Sequence, residues 1–478
     1  MKFTKQVKMQ HYKIYVGGDF VETQNKLNVV DPFTQQIIAT TYLGGSEELE
    51  LAIKKAESIK EELKKLSSYK RYDILMQIAF EIKKDRDRLA TILCNESAKP
   101  MRYALGEIDR AVQTFIVAAE ESKRLPKEYI SLDWTAAGEG KEGIVKYFPV
   151  GLIAGIAPFN FPMNLAVHKI APAIAAGCPI ILKPASSTPL STLELAKIID
   201  RTELPKGAVS IIPMNRTAGN QLVTDERFKL LSFTGSPVVG WEMKRNAGKK
   251  KVVLELGGNA AVVITPSANI EKAMVKCVAG GFAYSGQVCI HAQRFYVHES
   301  VFEKFTFQFI EATKKLKQGN PEELSTDISS MIDEENAKRV EAWINEAIQQ
   351  GAEILFGGKR IGTFVEPTII TKTTKAMKVC CEEVFGPVVI IEKYSNFKEA
   401  VNLVNDSDFG LQAGVFTNEI SESEYAFNNI EVGGIVINDV PTFRVDHMPY
   451  GGIKDSGLGR EGVKYAIMDM MEAKVLVK

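Results

Sequence analysis

Residues 151–162 read GLIAGIAPFNFP, an uncharged run that ends in a turn stiffened by prolines. Further short apolar runs, bounded by Gly, Pro or Ser, follow it: CPIILKPA, AVSIIPM, KLLSFTGS and KKVVLELGG. Helical segments such as PLSTLELAKIID separate these runs. Strands that are apolar throughout and alternate with helices are typical of a parallel sheet covered on both faces. Because ligands of such sheets bind beyond the carboxyl ends of the strands, the residues at these ends are candidates for a site.

The rest of the chain divides around this sheet. At 478 residues it is too long for one ordinary hydrophobic core, and its length predicts about three units. Upstream, apolar residues between Leu49 and Leu66 recur at spacings of three and four, which predicts a helix. Residues 127–141 are polar and lack a helical period, which predicts a protruding element or a linker. A second α/β stretch begins near Gly257.

The charge balance favours small partners. Lys+Arg and Asp+Glu both total 59, so no overall field favours nucleic acid or an anionic membrane. The longest uncharged stretch, Tyr147 to His168, is interrupted by three prolines, which argues against a membrane helix.

Cysteine and histidine usage bears on the compartment and on metal binding. The six cysteines include no CxxC pair, which favours reduced thiols in the cytoplasm. The N-terminal MKFTKQVKMQHYKIYV lacks the apolar core of a signal peptide, so no export is expected. The five histidines show no metal-ligand spacing, and no metal site is expected.

Two of the apolar runs end in polar side chains that suit a site. Asn160 lies between Pro158 and Pro162, where its amide can donate to a developing oxyanion, although Asn in such a turn also commonly bonds its own backbone. Lys183 follows the apolar residues of IILKPAS and would reach the ligand-binding edge of the sheet. A lysine that extends its charged head into solvent is the alternative.

A third run, SFTGSPVVG, places Gly235 and Ser236 before a helix start. The N–H groups and dipole of a helix start suit a pyrophosphate. The motif is not GxGxxG, and an ordinary helix cap explains it equally well.

Glu255 and Cys289 are the candidates for acid-base and nucleophilic chemistry. Glu255 stands among apolar residues in VLELGGNA, where the charged form is disfavoured and the carboxylate can serve as a base near neutral pH. Most buried glutamates are simply paired. Cys289, in YSGQVCI, follows a glycine that allows close approach of the backbone, but a lone buried cysteine is often inert. His291 is badly spaced for a Cys-His pair with it.

Seven motifs, taken in chain order, resemble those of the aldehyde dehydrogenase superfamily: PFNFP, LKPAS, FTGSPVVG, ELGG, SGQVC, EEVFGP and PYGGIKDSGLGREG. The resemblance runs from about Tyr12 to the C-terminus. It implies that Cys289 attacks the aldehyde as a thiolate and that Asn160, with the Cys289 N–H, stabilises the oxyanion. It further implies that Glu255 activates the water that hydrolyses the thioester.

The resemblance also implies NAD or NADP as the cofactor. Relatives that prefer NAD often carry Glu three residues after the lysine, whereas this chain has Ser186, which leaves room for a 2′-phosphate. Use of both cofactors is therefore expected. The implied cofactor-binding residues are Lys183, Ser186, Gly235, Ser236, Glu383 and Phe385.

The fold that the resemblance implies is α/β in three parts. Residues 1–126 and 147–256 would form a Rossmann-like NAD(P)-binding domain, and residues 257–450 an α/β catalytic domain. Residues 127–146 and 451–478 would form a small β oligomerisation element, giving a homodimer or homotetramer.

For the substrate, PFNFPMNLAVHKIAP and PYGGIKDSGLGREGVKYA look most like lactaldehyde and non-phosphorylating glyceraldehyde-3-phosphate dehydrogenases. Relatives that bind a phosphorylated substrate tend to have Arg directly before the nucleophile, where this chain has Val288. The candidate substrate-binding residues are Arg110, Phe159, Arg444 and His447.

The activity predicted from this resemblance is NAD(P)-dependent oxidation of a short hydroxy- or acid-bearing aldehyde, such as lactaldehyde or glycolaldehyde. The product would be the carboxylic acid. A semialdehyde or a phosphorylated or phosphonate aldehyde is the alternative substrate, and a thioesterase or acyl transferase using Cys289 is a further alternative function.

Overall fold

A computed structural model describes residues 10–478. The first nine residues of the predicted cofactor domain, and most of the N-terminal stretch that bears on export, lie outside the described residues. Within residues 10–478, no helix has the length and apolar character needed to cross a bilayer.

The chain forms short strands throughout its length. In chain order they are β1 (Gln10–His11), β2 (Ile14–Val16), β3 (Asp19–Val21), β4 (Lys26–Val30), β5 (Ile37–Tyr42), β6 (Lys127–Ser131), β7 (Glu142–Pro149), β8 (Ile153–Ile156), β9 (Ile180–Lys183), β10 (Val209–Ile211), β11 (Leu230–Thr234), β12 (Lys251–Glu255), β13 (Ala260–Ile264), β14 (Ala292–His298), β15 (Glu353–Phe356), β16 (Arg360–Ile361), β17 (Phe364–Val365), β18 (Thr368–Thr371), β19 (Val388–Tyr394), β20 (Phe409–Gly410), β21 (Gln412–Phe416), β22 (Gly434–Ile437), β23 (Ile453–Lys454), β24 (Gly457–Leu458) and β25 (Met471–Val477).

Helices connect and cover these strands. In chain order they are α1 (Ser46–Lys65), α2 (Ser68–Lys84), α3 (Arg86–Ser97), α4 (Met101–Ser122), α5 (Pro162–Ala176), α6 (Leu190–Asp200), α7 (Arg216–Thr224), α8 (Pro237–Asn246), α9 (Ile270–Phe282), α10 (Glu299–Thr313), α11 (Glu334–Gln349), α12 (Lys378–Cys381), α13 (Phe397–Asn405), α14 (Ile420–Asn429) and α15 (Val463–Asp469).

The largest sheet has eight strands in the order β24-β12-β11-β8-β9-β10-β2-β3. Its five central strands, β12 to β10, are parallel. From β8 the chain proceeds outward through β9 and β10 on one side, and then returns to build β11 and β12 on the other. The point between β8 and β11 is therefore a topological switch, where open α/β sheets bind ligands. The predicted Rossmann-like parallel sheet is confirmed.

Two apolar layers cover this sheet. One contains buried side chains of α2 to α6, and the other those of α1 and α7 with Phe228 and Leu254. The strands β8 and β11 are buried along their whole length, which explains why the sequence shows no alternation of apolar and polar residues there. The site must therefore form at the ends of the strands, since both faces are covered.

A second sheet has seven strands in the order β15-β18-β19-β14-β13-β21-β22. All but the edge strand β15 run parallel. Helices α9 and α10 pack on one face of it, and α13 and α14 contribute to a second apolar cluster. The second α/β unit predicted from Gly257 onward is this sheet.

A third, antiparallel sheet has the order β25-β7-β6. Residues from Met471 to Val477 pair with residues from Pro149 back to Gly143. Of the range 451–478, only β25 belongs to this sheet, because β24 pairs with β12 of the largest sheet. The proposed division of the chain into three domains stays a prediction.

Candidate functional site

A cavity of about 570 Å³ opens at the carboxyl ends of β8, β9, β11 and β12. It is lined from the other side by the turn that follows α9 and by the residues after α12. All of the predicted catalytic and cofactor-binding residues line this one cavity, together with one predicted substrate-binding residue: Asn160, Glu255, Cys289, Lys183, Ser186, Gly235, Ser236, Glu383, Phe385 and Phe159.

The turn before Cys289 has an unusual backbone. The φ values of three consecutive residues, Tyr284, Ser285 and Gly286, are 50°, 52° and 70°. They lie in the left-handed region, which is unfavourable for residues other than glycine. A Cβ on Gly286 would lie 2.0 Å from the Gly386 oxygen, so only glycine fits there. The Ser285 hydroxyl donates to the Ser329 carbonyl at 2.7 Å and helps to hold the turn. The strained turn presents Cys289 at the cavity.

The Cys289 thiol is half-buried in an apolar cluster. Its Sγ lies 3.2 Å from the hydroxyl oxygen of Tyr450. Burial raises the pKa of the Cys289 thiol to about 11, while the hydrogen bond with Tyr450 acts in the opposite direction.

The Asn160 amide faces the turn that precedes Cys289. Its Nδ2 donates to the Gln287 carbonyl at 3.0 Å, and its Oδ1 accepts from the Phe161 N–H at 3.1 Å. The amide oxygen therefore bonds the neighbouring backbone, which was one of the two alternatives that the sequence left open. An NH₂ group has two donors, so Nδ2 keeps one for a ligand in the cavity.

Glu255 is buried, 3% exposed, at the end of β12. Its Oε1 accepts from the Glu461 N–H at 3.3 Å, and its Oε2 has no hydrogen-bond partner among residues 10–478. Burial raises the pKa of the Glu255 carboxyl well above its ordinary value, and the nearby charge of Glu461 raises it further. A carboxylate of this kind is suited to take a proton from water near neutral pH.

A buried charge network lies behind Glu255. Lys169 donates to the Thr234 hydroxyl at 2.7 Å and to Glu461 at 3.3 Å, and Arg444 donates to the other oxygen of Glu461 at 2.9 Å. Burial alone would raise the pKa of Glu461, but Lys169 and Arg444 hold it at about 2. Glu461 is thus held in its charged form, and its charge disfavours ionisation of the neighbouring Glu255.

The network continues toward the outside of the site. His168 Nε2 lies 2.8 Å from Oδ1 of Asp446, and Arg110 donates to the same oxygen at 2.6 Å. Asp446 is buried, which opposes ionisation, but His168 and Arg110 hold its pKa well below the ordinary range. A chain of ionic contacts therefore joins Arg110 on α4 to the C-terminal loop.

The residues predicted to bind the cofactor form the other end of the cavity. The Lys183 ammonium is largely buried, and among residues 10–478 it has no hydrogen-bond or ion-pair partner. Helix α8 begins after Ser236 without a side-chain cap, so its first N–H groups are open to a ligand. A second cavity of about 660 Å³ adjoins the first at Lys183 and is also lined by the exposed Arg216, which has no ion-pair partner in the described part of the chain.

Glu383 and Phe385 stand between these two ends. Glu383 accepts from the Gly258 N–H at 2.9 Å, and a Cβ on Gly257 would lie 2.3 Å from its carboxylate. Burial raises the pKa of Glu383 to about 7. Phe385 meets Phe159 edge to face, with ring centroids 5.8 Å apart. The close approach of Gly257 and Gly258 to Glu383, the open start of α8 and the unpaired Lys183 fit a dinucleotide. The predicted contact of Glu383 with its ribose stays a prediction.

The predicted substrate-binding residues are only partly brought together. Arg444 is 7% exposed and stacks on the Tyr450 ring at 3.7 Å, which places it beside Cys289. Arg110 reaches the same region through Asp446 and lies 5.9 Å from the Phe161 ring. Phe159 lines the cavity, whereas Arg110, Arg444 and His447 do not, and His447 is exposed.

Several residues of the site escaped the sequence analysis, namely Lys169, Tyr450, Glu461, Asn336 and Arg339. The first three lie inside motifs that were singled out, and Lys169 is the only Lys, Arg, Asp or Glu in PFNFPMNLAVHKIAP. That contrast was the available signal. Asn336 and Arg339 on α11 had none, because a helix brings them in from outside every motif.

Comparison with known proteins extends over the whole chain. The model of the aldehyde dehydrogenase family matches residues 20–476. A 3-sulfolactaldehyde dehydrogenase of Priestia aryabhattai is 41% identical over 476 residues, covering 99% of each chain. A lactaldehyde dehydrogenase of Methanococcus aeolicus is 41% identical over 471 residues, covering 97% of this chain and 99% of the relative.

Solved structures agree with these relatives. Aldehyde dehydrogenase 21 from Physcomitrella patens, in complex with the reaction product succinate, superposes with a TM-score of 0.97 at 45% identity, covering 99% of both chains. The glyceraldehyde-3-phosphate dehydrogenase GapN from Methanocaldococcus jannaschii, complexed with NADP, gives a TM-score of 0.92 at 38% identity, covering 95% of this chain and 99% of that one.

The fold and the cavity define a dinucleotide-dependent oxidoreductase. The chain belongs to the aldehyde dehydrogenase family, and it is an NAD(P)-dependent aldehyde dehydrogenase. The family resemblance seen in the sequence is confirmed. The individual roles of the site residues stay predictions.

Proposed function

We propose that the protein oxidises a short aldehyde carrying an acid group to the corresponding carboxylic acid. In this reaction Cys289 adds to the aldehyde carbon and forms a thiohemiacetal, whose oxyanion accepts hydrogen bonds from Asn160 Nδ2 and the Cys289 N–H. When bound, the nicotinamide ring supplies the hydride acceptor. Loss of the hydride from the thiohemiacetal carbon leaves a thioester on Cys289. Glu255 then takes a proton from the water that hydrolyses this thioester.

The observation that carries the substrate class is the state of Arg444. Its side chain is almost fully buried beside Tyr450 and Cys289, yet its Nε has no hydrogen-bond partner among residues 10–478. A buried guanidinium with an unused donor is costly unless a ligand satisfies it. A carboxylate or sulfonate at the far end of a short aldehyde would do so.

The charges around the substrate end support this assignment. Arg110, Lys169 and Arg444 supply three positive charges, and Asp446 and Glu461 supply two negative ones. Burial and Glu461 disfavour the ionised form of Glu255, so the carboxylates do not outnumber the cations in either protonation state of Glu255. The network therefore presents no net negative charge that would repel an anionic aldehyde.

The names of the relatives point the same way. They include a 3-sulfolactaldehyde dehydrogenase and an enzyme bound to succinate, so two of the similar proteins act on or release short anions. Lactaldehyde dehydrogenases are also similar, and a hydroxyl next to the aldehyde is compatible with the same cavity. We propose succinic semialdehyde and 3-sulfolactaldehyde as the first substrates to test, followed by lactaldehyde and glycolaldehyde.

The decisive measurement follows NADH or NADPH absorbance with a panel of matched aldehydes. Succinic semialdehyde is paired with butanal, and 3-sulfolactaldehyde with lactaldehyde. We expect the acid-bearing member of each pair to have the higher kcat/KM, by about tenfold or more, and Cys289→Ala to abolish all turnover. Equal values within both pairs would contradict the substrate proposal, and turnover by Cys289→Ala would contradict the mechanism.

We further propose that NADP is accepted at least as well as NAD. Lys183 and Arg216 are both unpaired cations within the described residues and border the same cavity, where a 2′-phosphate would meet them. Ser186 is short and uncharged, so it neither blocks nor repels that phosphate.

The proposed assembly is a homodimer or homotetramer formed through the small sheet. Val475, Leu476 and Val477 at its edge are each about half exposed, at 52%, 55% and 50%. An exposed edge strand carrying apolar side chains is a ready surface for a second copy. Sedimentation analysis of the protein and of the variant Val475→Lys/Val477→Lys tests this, since a monomeric parent protein would contradict it.

All six cysteines are free, and we propose a cytoplasmic location.

A further inference from the structure

Tyr450 is a buried tyrosine, 3% exposed, whose hydroxyl contacts the nucleophile. Its Oη lies 3.2 Å from Sγ of Cys289. Within residues 10–478, this is the only hydrogen bond made by that sulfur. The backbone of Tyr450 is held by paired hydrogen bonds with Glu461, and its ring is packed against the Arg444 guanidinium at 3.7 Å.

The direction of this hydrogen bond depends on the state of the thiol. While Cys289 is protonated, either atom can donate, but a thiol is a weak donor and a weak acceptor. Once Cys289 has lost its proton, only the phenol can donate. Hydrogen bonds to an ionised acceptor are markedly stronger than those between neutral groups. The contact with Tyr450 therefore favours the thiolate over the thiol.

Arg444 reinforces the same preference. Its guanidinium stacks on the Tyr450 ring at 3.7 Å and is anchored to Glu461 at 2.9 Å. A cation against the face of the ring withdraws electron density from the phenol, which makes its O–H a better donor. The positive charge of Arg444 also acts on Cys289 directly and opposes the effect of the carboxyl groups of Glu383 and Glu255.

We propose that Tyr450 is a positioning residue whose hydroxyl donates a hydrogen bond to the Cys289 thiolate. This hydrogen bond fixes the direction of Sγ and increases the fraction of Cys289 that is thiolate. The phenol keeps its proton throughout, so no proton transfer is assigned to it. The proposal rests on the role of Cys289 as nucleophile given above. A phenylalanine at position 450 would have nearly the same shape but could not donate this hydrogen bond.

The test measures the reactivity of the thiol and not the dehydrogenase activity. The rate at which iodoacetamide alkylates Cys289 is followed from pH 6 to pH 11 by mass spectrometry of the peptide that contains it. For Tyr450→Phe we expect the rate at pH 7.5 to fall about tenfold or more, as loss of a hydrogen bond to a charged group implies. Toward pH 11 the ratio of the two rates should narrow, because the unaltered thiol, with a pKa of about 11, approaches full ionisation first.

Two further variants keep the result interpretable. Tyr296→Phe removes a buried hydroxyl that bonds Arg294 in the second sheet, and its alkylation profile should match the unaltered protein. Replacing Tyr450 with 3-fluorotyrosine makes the phenol a stronger donor, and the profile should shift to lower pH. This replacement retains the hydroxyl and serves if Tyr450→Phe fails to fold.

An unchanged alkylation profile in both Tyr450 variants would overturn the proposal. Because the readout is alkylation, its outcome is separate from that of the proposed function. If Cys289→Ala retained aldehyde oxidation, the catalytic role would fail even where the hydrogen bond was demonstrated.

Discussion

The two ends of the cavity are built by different means. At the cofactor end, the contacts come from the open start of α8, from Gly257 and Gly258, and from few charges, chiefly Lys183. At the proposed substrate end, the cavity is backed by a network of ion-paired side chains that do not line it themselves and that join α4, α5 and the C-terminal loop. Backbone geometry leaves a local motif in the sequence, whereas a side-chain network of this kind exists only after folding. The cofactor end can therefore be recognised from local motifs in the sequence, whereas the substrate end can be recognised only in the folded structure.

The largest expected effect lies at the boundary between the two ends. Glu255→Gln should lower steady-state turnover by about 10²- to 10⁴-fold, because the variant lacks the base that activates water. One equivalent of NAD(P)H per active site should still appear in a burst, since formation of the thioester does not need this base. Rapid-mixing absorbance measures both phases. A variant that lost the burst together with the turnover would show that Glu255 acts before hydrolysis.

The substrate end should also be the more sensitive to acid. The folded-state pKa of Glu461 is about 2, below its ordinary value of 4.5, so its stabilising contribution is full above the ordinary value. It is lost as the pH falls through the folded-state pKa. We expect the free energy of unfolding to fall by a few kcal/mol between about pH 5 and pH 2.

Urea titrations at several pH values measure this loss. Glu472→Gln, on the exposed strand β25, is the control and should show the same dependence as the unaltered protein. Glu461→Gln should show a weaker dependence. Parallel curves for all three proteins would mean that Glu461 does not carry the effect.

Arg444→Gln separates charge recognition from chemistry. We expect kcat/KM for succinic semialdehyde to fall roughly 100-fold, because the variant keeps a polar side chain but loses the charge that meets the carboxylate. For butanal, measured on the same preparation, the fall should be much smaller. Equal losses for the two aldehydes would place the role of Arg444 in Cys289 or Glu255 chemistry and not in recognition.

The smallest expected effect concerns the cofactor end. Ser186→Glu introduces a carboxylate beside the proposed site of the 2′-phosphate, and kcat/KM for NADP should fall about tenfold or more through repulsion. The value for NAD should change little. The ratio of the two specificity constants is the measurement, and an unchanged ratio would place the 2′-position elsewhere.

Sequence reasoning located the cofactor end well. The parallel sheet follows from runs that are apolar throughout, and residues such as Asn160, Lys183 and Glu255 lie at strand ends that a parallel sheet must bring to one edge. Cys289 was placed by its motif, but the left-handed turn that presents it was not foreseen, because Tyr284 and Ser285 are not residues that favour such a backbone.

The substrate end was only partly foreseen. Arg110 was selected from a helical stretch and Arg444 from a loop, and the structure joins them through Asp446 and His168. His447 was selected with them, yet it is exposed, while its neighbour Asp446 is buried. Periodicity sets side-chain direction in helices and strands but not in a loop of this kind, so the sequence could not tell which of the two neighbours faces inward.

The double attachment of Glu461 constrains how this enzyme can diverge. A lineage that gave up Arg444 in order to accept uncharged aldehydes would leave Glu461 with Lys169 alone, and the altered field would reach Glu255. Substrate range and hydrolytic competence are therefore inherited together. A lasting change of substrate class would require a compensating substitution at Lys169 or Glu461. These positions should therefore vary together with Arg444.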